Sequence, residues 1–389
     1  MTMFKILTLN QISVAGLERF PRDRYEVASE IAHPDAIVLR SFNMHEMVIP
    51  ESVKAVGRAG AGVNNIPVRD LSARGIPVFN APGANANAVA ELVIAGMLIA
   101  ARNIIPAWQF VQQLEGDDAA LSKQVEAGKK QFRGFELPGR TLGVIGLGAI
   151  GVRVANLAGR LGMKVLGYDP KITVSSAWKL SSEVEQAASV DDLVSRADVV
   201  SVHVPLVETT RHLINAERLG RMRDKVVILN FSRQGIVDDE AVCAALEQGK
   251  VYAYVCDFPS NRLKSRRGVV TLPHLGASTR EAEDNCAIMI VEQVRDFLEN
   301  GNITNAVNFP DVHMPRLDGY RIAIANSNVP NMVGQISTAM ARAGLNIVDL
   351  INKSRGELAY TMADVESPVP PEVVEQIRKI DGVLSVRVI

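Results

Sequence analysis

The stretch Thr141–Asp169, TLGVIGLGAIGVRVANLAGRLGMKVLGYD, decides how the rest of the chain is read. Thr141–Ile145 is a short apolar run of strand character, and Gly146, Gly148 and Gly151 follow directly as G-x-G-x-x-G. Ile150, Val154, Leu157, Ala158 and Leu161 then recur at helical spacing, and Lys164–Tyr168 is a second strand run that closes on Asp169. Strand, glycine turn, helix and strand in that order make a cradle for a dinucleotide. Gly146 permits the turn, Gly148 lets backbone approach a pyrophosphate, and Gly151 lets helix and strand pack closely. The helix opening at Ala149 and Ile150 offers N–H groups and a positive dipole end to the phosphates. Asp169 stands 18 residues beyond Gly151, near the spacing at which an acid accepts from a ribose 2′-hydroxyl. A carboxylate there repels a 2′-phosphate, so the expected cofactor is NAD rather than NADP.

The motif sits deep in the chain, with 140 residues before Thr141 and 220 after Asp169. A length of 389 residues predicts two or three domains, and 47% hydrophobic with 22% charged residues supplies sizeable cores. A net charge of −1 gives no reason to expect nucleic acid or an anionic membrane as partner. Cys243, Cys256 and Cys286 stand singly among apolar residues and read as reduced, buried thiols of a cytoplasmic protein. The opening MTMFKILTLN lacks the apolar core and cleavage site of a leader. Val89–Ala101 is interrupted by Glu91 and is too short to span a bilayer, so it reads as a buried helix.

Residues 1–100 alternate short strand runs (Lys5–Leu9, Ala36–Leu39, Lys54–Val56, Pro77–Phe79) with helical segments, an α/β pattern with a parallel sheet and no glycine fingerprint. The alternation resumes at Thr141 and continues through Val199–Val204, Val226–Asn230, Val251–Cys256 and Val269–Thr271. Residues 279–300 read as one long helix closed by Gly301, and 308–319, with two prolines, as a linker. Strand 320–326, helix 330–343, strand 345–352, a hairpin at Ser354–Gly356, strand 357–365, helix 370–380 and strand 383–389 follow. That is the βαββαβ order of a ferredoxin-like unit. About 70 residues is small for a free-standing domain, so pairing with a second copy is expected.

Arg233 lies just past the strand Val226–Asn230, in VVILNFSRQG. The carboxyl ends of parallel strands are where open α/β sheets place ligands, and arginine there holds a carboxylate by two parallel hydrogen bonds. The bland alternative is a surface arginine beside the next helix. His274 follows Pro273 in TLPHLGAST. At a strand end it can move the proton that accompanies hydride transfer, although by position a structural histidine is an equal reading. His33, His45, His203, His212 and His313 show no metal-ligand spacing, so no metal site is expected. Arg58, Ala59 and Gly60 open the glycine-rich turn RAGAGVNN, whose successive N–H groups suit an anion; a purely structural turn is the alternative.

GRAGAGVNNI, VIGLGAIG, NFSRQGIVDDEAV and PHLGAST, in that order along the chain, together resemble the D-2-hydroxyacid dehydrogenase family over essentially the whole chain. The resemblance implies a Rossmann NAD-binding domain inserted into a flavodoxin-like substrate domain, with the active site in the cleft. The implied boundaries are 1–100 with 280–310 for substrate and 101–279 for NAD. It makes His274 the proton acceptor, has Arg233 hold the substrate carboxylate, and sets Asp257 against the nicotinamide carboxamide. His203 and Pro205 fall on the adenine side, Asn80 and Asn87 beside the substrate, and Arg40 and Arg58 at its phosphate end. The implied reaction is NAD-dependent oxidation of a phosphorylated 2-hydroxy acid, 3-phospho-D-glycerate, to 3-phosphohydroxypyruvate on the way to L-serine. Two other readings are a hydroxypyruvate/glyoxylate or other 2-hydroxyacid reductase and a non-catalytic NAD-sensing protein like the corepressors that share this fold.

One departure matters. The family's D-x-F-x-x-E-P pattern supplies a glutamate to the histidine, but here Asp257 is followed by FPSNR and no acid occurs from 258 to 273. Asn261 stands nearest the missing position and becomes the candidate partner of His274, with Glu281 or Glu283 as substitutes. An amide fixes an imidazole tautomer but stabilises imidazolium less than a carboxylate does. Gln234 replaces a common glycine, and the run Arg262, Lys264, Arg266, Arg267 reads chiefly as a solvated loop. Residues 319–389 resemble an ACT regulatory domain, which implies Asn328 and Asn346 as ligands for a serine effector and a homodimer or homotetramer. Asn331 stands there in place of the usual glycine.

Overall fold

The computed structural model describes residues 3–389; the expectation about the opening residues Met1 and Thr2 lies outside them. The chain divides into two compact units, one running to Asn85 and resuming at Arg280, the other Ala86–Thr279.

In the first unit, β1 (Phe4–Leu9), β2 (Tyr25–Ala28), β3 (Ala36–Leu39), β4 (Ala55–Arg58) and β5 (Val78–Phe79) form a parallel sheet. Its order, 2-1-3-4-5, is that of flavodoxin-like folds. Both faces are buried, which is why these strands read as apolar runs rather than alternating ones. Leu7, Ile37, Leu39 and Val56 pack on one side; Ile6, Ala36, Val38 and Ala55 meet the helix Arg280–Asn300 on the other. Gly57 has no side chain because Ile290 and Val294 of that helix occupy the space a Cβ would fill.

The second unit carries β6 (Thr141–Ile145), β7 (Lys164–Tyr168), β8 (Glu185–Gln186), β9 (Val199–Val202), β10 (Val226–Asn230), β11 (Val251–Cys256) and β12 (Val269–Thr271). All pair in parallel, in the order 12-11-10-9-6-7-8. That is the doubly wound Rossmann order, in which the sequence of strands reverses between β6 and β9. The helix Ala86–Ala101 belongs to this unit and not to residues 1–100 as the alternation pattern suggests. It packs on the helix Ala149–Arg160 and on β10 and β11, with Phe231 and Val255 seated over Gly96. Among the described residues no single helix is long and apolar enough to cross a membrane; this one with Ile104–Gln112 forms a pair bent by 63°.

Within the first unit, β13 (Tyr320–Ser327), β14 (Ile347–Arg355), β15 (Leu358–Val365) and β16 (Val383–Val388) make an antiparallel sheet in the order 14-15-13-16. This is ferredoxin-like topology. Alternation divides its faces. Ile322 and Ile324 meet Met332, Ile336 and Met340 of its own helices, while Ala323, Ala325, Tyr360 and Met362 join the cluster around Phe297 and Leu298. The small unit therefore buries its second face against its own chain. Residues 308–319 are no loose linker: Phe309, Val312 and Met314 are buried, and Ile303 and Val312 exchange backbone hydrogen bonds. Two prolines break the regular periodicity there without making the segment solvent-borne.

Candidate functional site

The dinucleotide motif folds as its spacing predicts, and each glycine has a distinct reason. Gly146 takes φ +92, and its N–H donates to the Tyr168 carbonyl at 2.8 Å. At Gly151 a Cβ would overlap the Gly146 carbonyl oxygen. Gly148 caps the helix Ala149–Arg160 and has no heavy atom within 4 Å of a Cβ position. Of the three motif glycines only Gly148 faces open space, which is what close approach of a phosphate requires. Asp169, at the end of β7, accepts from the Leu147 N–H at 2.9 Å and the Lys171 N–H at 2.8 Å. Its carboxylate thereby joins the acid strand end to the glycine turn, and each oxygen keeps a further lone pair.

His203 follows β9, with Nε2 2.8 Å from Ser201 Oγ and Nδ1 buried without a partner. Burial lowers its pKa to about 4, so the ring is neutral. The Pro205 carbonyl accepts from Thr210 Oγ1 at 2.6 Å, which shapes the loop after His203.

Asp257 directly follows β11, at 1% exposure. Its Oδ2 accepts from the Gly276 N–H at 3.3 Å, its carbonyl accepts from the His274 N–H at 3.1 Å, and Oδ1 is buried with no partner. Burial raises its pKa, opposed by the nearby His274 and Arg233. Such an orphaned acceptor fits the N–H2 group of a nicotinamide carboxamide. Together with the space over Gly148 it shows that the residues present fit NAD. His274 has φ +54, so its imidazole leaves the end of β12 in a left-handed turn, and its ring lies 5.2 Å from Phe258. Arg233 is exposed after β10, with Nη1 2.6 Å from the Ser232 carbonyl. Gln234 has an ordinary negative φ and is unstrained; Gly235, at φ +84, takes the left-handed position of that loop.

Asn261 is not the partner of His274. It is exposed and hydrogen-bonds to nothing among the described residues, because its loop folds the other way. Ser260 Oγ donates to Asp239 at 3.0 Å, Leu263 is buried, and Arg262 pairs with Glu240 at 2.9 Å. Arg266 pairs with Glu247, so the basic run docks on the helix Asp239–Glu247. Glu283 is engaged elsewhere, with Arg40. No carboxylate among the described residues bonds the His274 ring.

The first unit gathers its own cluster at the carboxyl ends of β3 and β4. Arg40 Nη1 lies 2.7 Å from Glu283 Oε1. Arg58 Nε donates to the Arg40 carbonyl at 3.0 Å, and its guanidinium lies over Gly60, where a Cβ would collide with it. The Ala59 N–H is spent on Leu39 at 2.8 Å. Asn80 Nδ2 donates to the Ala61 carbonyl at 2.6 Å and braces the turn. Asn65, which sequence reading missed, donates to the Arg40 and Phe42 carbonyls at 3.2 and 2.7 Å. Asn87 lies in the second unit, in the first turn of the helix Ala86–Ala101, and donates to Glu91 at 2.7 Å.

In the ferredoxin-like sheet a 160 Å³ cavity is lined by Asn326, Asn328, Asn331 and Asn352. Asn328 Nδ2 donates to the Gly356 carbonyl at 3.0 Å; Asn346 does not line the cavity. Asn331 takes φ +64, the conformation a glycine would adopt at no cost and asparagine tolerates better than most residues. Asn326, a buried amide at 1% exposure on β13, was the missed signal.

Residues 94–276 match the family model for the D-isomer specific 2-hydroxyacid dehydrogenase NAD binding domain. A D-3-phosphoglycerate dehydrogenase of Methanocaldococcus jannaschii is 36% identical over 87% of this chain, and the chain spans 63% of that relative's length. One from Haemophilus influenzae is 31% identical over 86% of this chain and 81% of its own. The solved NAD+-bound 3-phosphoglycerate dehydrogenase of Entamoeba histolytica aligns with TM-score 0.61 and 26% identity, covering 79% of this chain and 99% of that one. The chain belongs to the D-isomer specific 2-hydroxyacid dehydrogenase family.

Proposed function

We propose that this protein oxidises 3-phospho-D-glycerate to 3-phosphohydroxypyruvate with NAD, the opening step of L-serine synthesis. The observation that carries the reading is the line of groups at the carboxyl ends of consecutive strands: Arg233 after β10, Asp257 after β11 and His274 after β12. NAD, when bound, accepts the hydride from C2. Gly148 leaves room for its pyrophosphate, Asp169 accepts from its ribose, and the neutral His203 and Pro205 line the adenine side. Arg233 holds the substrate carboxylate through a bidentate pair and polarises the carbon it adjoins. His274 takes the hydroxyl proton on a ring nitrogen as the C2–H bond breaks. The buried Asp257 carboxyl feels the His274 charge, and its carbonyl accepts the His274 N–H.

Arg58 and Arg40 are the cations for the phosphate end. Glu283 competes for Arg40, but a pair so exposed contributes about 1 kcal/mol or less, so a dianionic phosphate displaces it. The ferredoxin-like unit is read as an ACT regulatory domain in which the asparagine-lined cavity holds serine, and the whole as a cytoplasmic homo-oligomer. One assay decides between this reading and its rivals. NADH should form with 3-phosphoglycerate and NAD, and serine should slow it. Consumption of NADH with hydroxypyruvate alone would make the protein a hydroxypyruvate reductase, and turnover of neither would leave an NAD-binding protein without this activity.

A further inference from the structure

Arg233 is aimed from an exposed loop, and a long flexible side chain on such a loop gains nothing from position unless the loop itself is held. Asn230 is the last residue of β10, 1% exposed, at the end of a strand whose other members are all apolar. A buried amide needs its hydrogen bonds, and this one spends them on the loop. Its Oδ1 accepts from the Ser232 N–H at 3.2 Å, and its Nδ2 donates to the Arg233 carbonyl at 3.1 Å. The same Nδ2 lies 3.4 Å from the hydroxyl of Tyr254, buried on β11. Ser232 Oγ donates to the Val202 carbonyl of β9 at 2.7 Å, so the loop is pinned to the strands on either side of β10.

Tyr254 is on β11, three residues before Asp257, which directly follows that strand, and the Asp257 carbonyl accepts the His274 N–H. The arginine loop and the histidine loop are thus two ends of one bracket.

We infer that Asn230 is the positioning residue for Arg233, its side chain closing the loop so that the guanidinium meets the substrate carboxylate. This rests on the role given above to Arg233, and acts through it. A loop released at this point misplaces the guanidinium by the ångström or so that costs about 10²-fold in rate. Asn230 is 1% exposed, with its amide engaged by the loop and Tyr254, so affinity for NADH should be untouched.

The test compares Asn230→Ala and Asn230→Asp with Arg233→Ala in the full chain. Asn230→Asp keeps the volume and the acceptor but faces the Arg233 carbonyl with an oxygen instead of a donor. Expected is a loss of kcat/KM for 3-phosphoglycerate of about 10²-fold in both Asn230 variants, carried mostly by KM, with the NADH dissociation constant unchanged. In the Arg233→Ala background the Asn230 substitutions should cost nothing further. Unchanged kcat/KM in both Asn230 variants overturns the inference. So does a loss of NADH affinity in step with activity, or a full additive loss without Arg233. If Arg233→Ala itself is harmless, the role of Arg233 fails and takes the bracket with it.

Discussion

At the scale of single residues the second unit shows how burial sets chemistry. His203 lies beside the glycine turn with one ring nitrogen on Ser201 and the other unpartnered, and burial lowers its pKa from 6.5 to about 4. A base depressed in the folded state binds fewer protons there than when unfolded. Its contribution to stability is therefore complete above pH 6.5 and is lost as pH falls towards 4. Allowing for partial exposure of the ring, the loss is about 2 kcal/mol. Urea midpoints should fall across that window, and His203→Gln should flatten the fall; an identical slope in the variant would count against it. Cysteine and histidine identities were legible in the sequence, but not this shift. It depends on which atoms surround the ring, and no local pattern encodes that.

At the scale of elements, the strand–turn–helix around Gly146–Gly151 divides folding from binding. Gly151→Ala forces a methyl into the Gly146 carbonyl and should destabilise the second unit by about 1–3 kcal/mol. Gly148→Ala meets no protein atom, so its melting temperature should match the parent while NADH fluorescence titration shows affinity lost. Equal NADH affinity in Gly148→Ala would mean the pyrophosphate lies elsewhere. The motif and Asp169 were readable from spacing because every partner lies within one βαβ unit. The replacement for the family's glutamate was not. Asn261 is the nearest residue in sequence, yet Ser260, Arg262 and Leu263 turn its loop onto the helix Asp239–Glu247 and leave it exposed.

At the scale of the molecule, the first unit carries a buried ion pair within its apolar core. Arg321 and Asp364 face each other across β13 and β15, with Nε–Oδ1 2.6 Å and Nη2–Oδ2 2.8 Å. The guanidinium also donates to the carbonyls of Asn300, Met314 and Pro315, so one side chain fastens the small sheet to the end of the long helix and to the segment after it. Breaking one partner of such a pair leaves the other charged and dry. Asp364→Asn should cost about 3–5 kcal/mol. Because Phe297, Tyr360 and Met362 belong to one core cluster, calorimetry should show both sheets of the first unit melting together. A separate early transition for residues 319–389 would refute that coupling.

Apolar periodicity, the succession of strands and helices along the chain and the glycine fingerprint were determined by the sequence itself, since these depend on neighbours within a few residues or one supersecondary unit. Arg233, His274 and the Arg58 turn were readable as strand-end residues for the same reason. Tertiary structure decided what the chain does with distant surfaces. It placed the helix Ala86–Ala101 in the second unit, docked residues 308–319, and set Glu283 on Arg40. It also bound the Arg233 loop to Tyr254 through Asn230. Each of these joins residues far apart along the chain, and such pairings are chosen by packing and charge in three dimensions rather than by local pattern.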